Sequence, residues 1–183
     1  ARQNGNFVLT ELRLLAGDKP IRIKSAAADF SQDTYPVANA FDNNDETGWA
    51  IHPQVGKAHV AVFELAEPLT AQALTVHLEH NSKHTHHIIG KFRLSATAMK
   101  NPVESSGMMD SESQRLISDF EQKLSKAALW TTLELTDLNS ESGSRFDPRK
   151  DLSVLIVTGG NNPRPDKDTY NITAKTTQAK ITG

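Results

Sequence analysis

Apolar and polar side chains alternate with a period of two along much of this chain. After the short apolar run Phe7-Val8-Leu9, Leu12 and Leu14 alternate with Glu11 and Arg13. Ile21 and Ile23 alternate with Arg22 and Lys24, and Leu74, Val76 and Leu78 with Thr75, His77 and Glu79. Phe92, Leu94 and Ala96 alternate with Arg93, Ser95 and Thr97. Leu129, Thr131, Leu133 and Leu135 share one phase, and Tyr170, Ile172 and Ala174 form a last alternating segment. Successive side chains of a strand point to opposite faces, so this period marks strands with one face buried and one wet. Residues 60–65 and 152–157 are largely apolar runs of strand length. Clusters such as Ala16-Gly17-Asp18-Lys19-Pro20, Asp42-Asn43-Asn44-Asp45 and Gly159-Gly160-Asn161-Asn162-Pro163 separate the strands as turns. The pattern predicts an all-β chain, a β-sandwich of jelly-roll type.

One segment breaks the rhythm. Over residues 111–128, Leu116, Ile117, Phe120, Leu124 and Ala128 fall at helical spacing. Ser111 followed by Gln114 fits a capping box. This predicts one added amphipathic helix, reached through a polar connection at residues 101–109. Its polar face carries mixed charge, which does not suit a basic membrane-surface helix. Residues 139–151 are polar and read as a loop. The expected organisation is a β-sandwich core at 1–98, a linker and helix at 99–128, and further strands at 129–183. Those last strands either complete the same sandwich or belong to an adjacent repeat.

Composition narrows the function classes. The 183 residues carry 20 basic and 22 acidic side chains, a net charge of −2. Without a Lys/Arg cluster there is no footprint for a phosphate backbone, so nucleic acid is not the expected partner. No apolar run approaches roughly 18 residues, so no membrane span is expected. Cysteine is absent, which removes disulfides, thiolate zinc sites and cysteine nucleophiles. The chain begins at Ala1 rather than Met, as a processed or excised piece would.

The most informative stretch runs from Ala38-Asn39-Ala40-Phe41-Asp42 through Asn43-Asn44-Asp45-Glu46-Thr47 to Gly48-Trp49-Ala50. It reads as a tight, oxygen-rich loop closed by an aromatic anchor. Asp42, Asn44 and Thr47 are spaced so that a curled loop turns their oxygens inward. A hard cation such as calcium takes six to eight oxygens. The Asn39 carbonyl and a group from a distant strand would have to complete such a shell. The alternative is a metal-free, Asx-rich turn.

These residues also carry a resemblance. The pattern Ala-x-Ala…Ala-Phe-Asp-x-x-x-x-Thr-x-Trp resembles the opening of discoidin domains and of family 32 carbohydrate-binding modules, which share a galactose-binding-like sandwich. The resemblance implies a structural calcium held by Asn39, Asp42, Asn44 and Thr47. Asn43 stands where the family has glycine, and Asn tolerates left-handed geometry. The family's C-terminal Ala-Glu ligand pair is not evident near the end of this chain. A second resemblance covers roughly the first hundred residues. Residues 4–11, 28–32, 48–51 and 89–97 look like a region of large exported planctomycete proteins that also carry cytochrome c-like domains. The stretch from Trp130 resembles the same region. In those proteins, however, it precedes the Asn-Gly-Asn-Phe-Val-Leu strand, which implies either a piece cut from a repeating array or ends that adjoin in one sandwich, with Ala1 and Gly183 close together. No haem is expected, since there is no cysteine to attach it. Export to the periplasm, the cell surface or beyond is the implied localisation.

The remaining candidates each have two readings. His77, His80, His84, His86 and His87 invite a zinc site. His84 and His86 could face the same way on a strand; the alternative is a solvated hairpin with incidental histidines. His52, Lys57, His59 and Arg93, with His84 and His86, form a candidate ligand-binding rim of the kind discoidin-like modules carry on loops at one end; the alternative is ordinary surface. Trp49 is either a sugar-stacking platform or a core anchor, and Trp130 the same. No nucleophile elbow, phosphate loop or His-Glu-x-x-His motif is present, so no enzyme is expected, with a hydrolase using carboxylates such as Asp29 and Asp42 as the minor alternative. The favoured expectation is a non-catalytic module recognising carbohydrate. The alternative is a structural or protein-interaction module whose partners are other domains of a larger assembly.

Overall fold

A computed structural model describes residues 5–105, 130–157 and 165–175. The expected helix at 111–128, the turn at 159–163 and both chain ends lie outside the described residues. The strands are β1 (Val8–Leu9), β2 (Glu11–Ala16), β3 (Lys19–Ile21), β4 (Ile23–Ala28), β5 (Trp49–Ala50), β6 (Ala61–Leu65) and β7 (Ala73–His80). They continue as β8 (Lys91–Phe92), β9 (Ser95–Thr97), β10 (Trp130–Thr132), β11 (Glu134–Ser140), β12 (Arg145–Pro148), β13 (Val154–Val157) and β14 (Asp168–Lys175). A 3₁₀ turn at Val37–Phe41 and one helical turn at Pro102–Ser105 are the helical pieces among the described residues. The described residues are all-β in character, and every strand pairing among them is antiparallel.

The largest sheet has the order β11-β14-β7-β2-β3. Its inner face is made by the alternation seen in the sequence. Leu12, Leu78 and Tyr170 lie in one cross-strand row, and Leu14, Val76, Ile172 and Leu138 in the next. Tyr170, Ile172 and Ala174 are completely buried. A side-chain period of two makes this register strict, because a one-residue slip would turn all of these side chains to water. β11 has an irregularity between Leu135 and Asp137. The extra residue there lets Leu135 and Leu138, three apart, both pack on the core.

The inner face is covered by the pair β4-β6 and the sheet β12-β13-β8. Ala26, Ala28 and Phe63 from the first, and Val154, Ile156, Phe92 and Phe146 from the second, join the same hydrophobic cluster. The result is sandwich-like. Each fully buried Ile, Val or Leu contributes about 1.5–3 kcal/mol by leaving water.

Two expectations change. The polar stretch 139–151 is not one loop: it is the end of β11, a turn, and β12. Ser140 and Ser144 turn inward. They donate their hydroxyls, and Ser142 its backbone N–H, to the buried carboxylate of Asp168. The run 152–157 begins its strand only at Val154. Leu152 sits in the preceding turn with φ 60° and is 48% exposed, its N–H donating to Arg149 O at 3.0 Å.

Candidate loop-end site

The oxygen-rich loop hangs on a fixed corner. β1 pairs with β5, Leu9 opposite Trp49. The Trp49 ring is buried, meets Phe7 edge-on at 5.0 Å, and donates its indole N–H to Phe30 O at 3.0 Å. It is therefore a core anchor and not a stacking platform. Just before it, Gly48 runs so close to β1 that an added Cβ would lie 2.7 Å from Leu9 O.

Within the loop, Asp42 accepts the Asn44 N–H at 3.0 Å on Oδ1 and the Thr47 hydroxyl at 2.7 Å on Oδ2. The Asn44 carbonyl accepts both the Thr47 N–H and its hydroxyl, at 3.1 and 2.9 Å. Asn39 belongs to the 3₁₀ turn, its N–H bonded to Pro36 O. Asn43 has φ 60°, a left-handed geometry that Asn tolerates. The residue that sequence reasoning missed is Glu11. It is 1% exposed, and its Oε1 accepts the same Asn44 N–H at 3.1 Å. Burial pushes its carboxyl up from the usual range, opposed by the backbone N–H groups of Asn43 and Asn44 and by Arg13, while Asp42 pushes it further up. Two carboxylates therefore meet one loop, with amide and hydroxyl oxygens beside them. This all-oxygen donor set suits a hard cation, with Glu11 as the group from a distant strand. Period-two alternation had placed Glu11 on a wet face, so nothing local in the sequence marked it.

The other candidates lie on loops that gather beyond the ends of β4, β5 and β7. Asn6 ties two of them together: its Nδ2 donates to Gln32 Oε1, and its Oδ1 accepts the Ile51 N–H, both at 3.1 Å. Gln32 N–H donates to Ala50 O at 2.8 Å, and Val8 N–H to His87 O at 2.8 Å. The Tyr35 hydroxyl lies 3.0 Å from His84 Nε2, and the His84 and His87 rings meet edge-on at 5.5 Å. His52 and Lys57 are exposed, with Lys57 Nζ donating to Gln54 Oε1 at 3.3 Å.

Three placements differ from expectation. His59 is not on the rim but beneath it, its side chain 5% exposed. Its Nδ1 is 2.8 Å from Asp29 Oδ2 and its Nε2 is 2.8 Å from Gln54 O. His84 and His86 do not face the same way, because residues 81–90 form a loop and not a strand. His86 has φ 62° and turns to Pro165 O and Asp166. Arg93 is exposed after β8, and among the described residues no hydrogen bond or ion pair joins it to this cluster. His77 lies mid-strand in β7, while His80 is buried and bonds to Val8 O at 2.7 Å. Among the described residues no group of three or more His, Cys, Asp or Glu side chains is disposed to hold a metal ion, so the histidine-rich segment forms no zinc cluster there. The β10 strand of Trp130 pairs with β9.

Comparisons of the chain with protein-family models, with curated proteins and with solved structures find no match. The functional reading rests on the residues themselves. No described helix is long and apolar enough to cross a membrane.

Proposed function

We propose that this chain is a non-catalytic carbohydrate-recognition module of jelly-roll, galactose-binding-like type, from an exported protein. The observation that carries the reading is the loop cluster. The half-exposed Gln32, Tyr35 and His84 are fastened together above the buried Asn6 at one end of an all-β framework, with His52 and Lys57 exposed on the neighbouring turn. Such a rim offers amide, hydroxyl and imidazole groups at fixed spacing, which is what neutral sugar hydroxyls need. Preorganised loops also lose little entropy on binding. The candidate acid–base carboxylates are spent on structure, which favours binding over turnover: Asp29 meets His59 and accepts the Val60 N–H, and Asp42 accepts from its own loop.

Calcium fits this reading as a structural ion. The Asn39 carbonyl, Asp42, Asn44, Thr47 and Glu11 would hold it. Its charge would offset the repulsion between the Glu11 and Asp42 carboxylates and so stiffen the corner that ends at Trp49. It would touch no ligand.

A glycan array tests the function. The wild-type chain should bind a defined set of neutral glycans, and Tyr35→Phe, His52→Ala or His84→Ala should weaken that binding while leaving the circular dichroism spectrum unchanged. Binding that survives all three substitutions, or no glycan binding at all, contradicts the proposal.

A further inference from the structure

His59 holds a position that neither the rim nor the calcium loop explains. Its Nδ1 meets the carboxylate of Asp29 and its Nε2 meets the carbonyl of Gln54, each at 2.8 Å. Both partners are acceptors only. A neutral imidazole has one N–H and can serve one of them; only the doubly protonated ring can serve both.

The two partners sit on different elements. Asp29 is fixed at the end of β4: its Oδ1 accepts the Val60 N–H at 2.8 Å, and its own N–H donates to Val60 O at 3.0 Å. Gln54 belongs to a turn closed by its N–H on Ile51 O at 2.7 Å, and its side chain receives Lys57. His59 is thus a link between the framework and the far side of the turn that carries His52 and Lys57.

We infer that His59 is a proton-operated latch, closed on the 51–57 turn while both ring nitrogens carry protons and released when one proton leaves. On deprotonation the remaining N–H stays with the carboxylate, the stronger acceptor. The Nε2 lone pair then faces the Gln54 carbonyl, and two acceptors at hydrogen-bond distance repel.

The surroundings favour the closed form. The hydrogen bond to Asp29 raises the His59 pKa most; burial opposes it; the Gln54 carbonyl and the Asp29 charge raise it further, and Lys57 lowers it. The Phe30 ring lies 6.0 Å from the imidazole and brings no charge. The latch should therefore open on the alkaline side of free histidine's 6.5.

The test needs no ligand. Imidazole nitrogen resonances of the full chain, followed against pH, should show both His59 ring nitrogens protonated below its midpoint. Its midpoint should lie above 6.5, and the backbone resonances of residues 51–57 should shift with the same midpoint. Asp29→Asn should lower both midpoints together, by about one to three pH units. His59→Gln should abolish the pH response of the turn. A His59 midpoint at or below 6.5, or a turn whose resonances ignore that midpoint, overturns the latch. Both wild-type readouts decide the question even if a variant fails to fold.

Discussion

Replacing Gly48 by Ala probes the corner on which the candidate site is built. Gly48 has φ 155°, outside the range that L side chains readily adopt. A Cβ added there lies 2.7 Å from Leu9 O and 2.8 Å from Val8 Cγ1. Unstrained carbon contacts settle at about 3.5–4.0 Å, so β1 must withdraw or β5 must rotate. Backbone strain costs about 1–3 kcal/mol and overpacking about 1–3 kcal/mol more, a total of roughly 2–6 kcal/mol. For a chain of this length each kcal/mol moves Tm by about 2–4 °C. Gly17→Ala is the control: its φ is also positive, at 60°, but nothing lies within 4 Å of the added Cβ. That variant should lose only about 1–2 kcal/mol. Urea denaturation of both variants separates clash from strain. If Gly48→Ala is no less stable than Gly17→Ala, the close approach of β5 to β1 is wrong, and the corner with it.

Other outcomes follow from the same coordinates. Ile172→Ala removes a fully buried side chain from the interior strand β14 and should cost about 2–5 kcal/mol in a denaturant melt. Ser140→Ala takes a hydroxyl donor from the buried Asp168 carboxylate and should cost about 1–3 kcal/mol. Calcium at a hundred times its Kd should stabilise the chain by about 2.7 kcal/mol; Glu11→Gln should erase that gain while leaving the metal-free Tm unchanged or higher, because burial disfavours the charged form. The pH profile of Tm carries the His59 signature. A folded pKa above the unfolded one means its contribution is complete below 6.5 and fades as pH rises through the folded value, so the alkaline fall in Tm should be shallower in His59→Gln.

The parts of the fold legible in the sequence are those where one face is dry and the other wet. β7 and β14 are such strands: Leu74, Val76, Leu78, Tyr170, Ile172 and Ala174 announce their register before any coordinates. The end of β11 and all of β12 were hidden for a physical reason. β11 lies at the sheet edge, where most of its side chains stay wet, and the serines that follow satisfy a buried carboxylate contributed from far along the chain. The site was legible only where its bonds are local. Asp42, Asn44 and Thr47 lie within one turn, so spacing alone suggests that they curl together. Glu11 and the His59–Asp29 pair depend on contacts between residues about thirty apart, which no window of the sequence contains.

The most direct test of the whole account is a titration of the isotope-labelled chain with a neutral, galactose-containing oligosaccharide, read by backbone and histidine resonances. The account predicts saturable shifts confined to Asn6, Gln32, Tyr35, His52 and His84. Silence at high sugar concentration, or shifts at the opposite end around Gly17, Leu69 and Ala71, would contradict it.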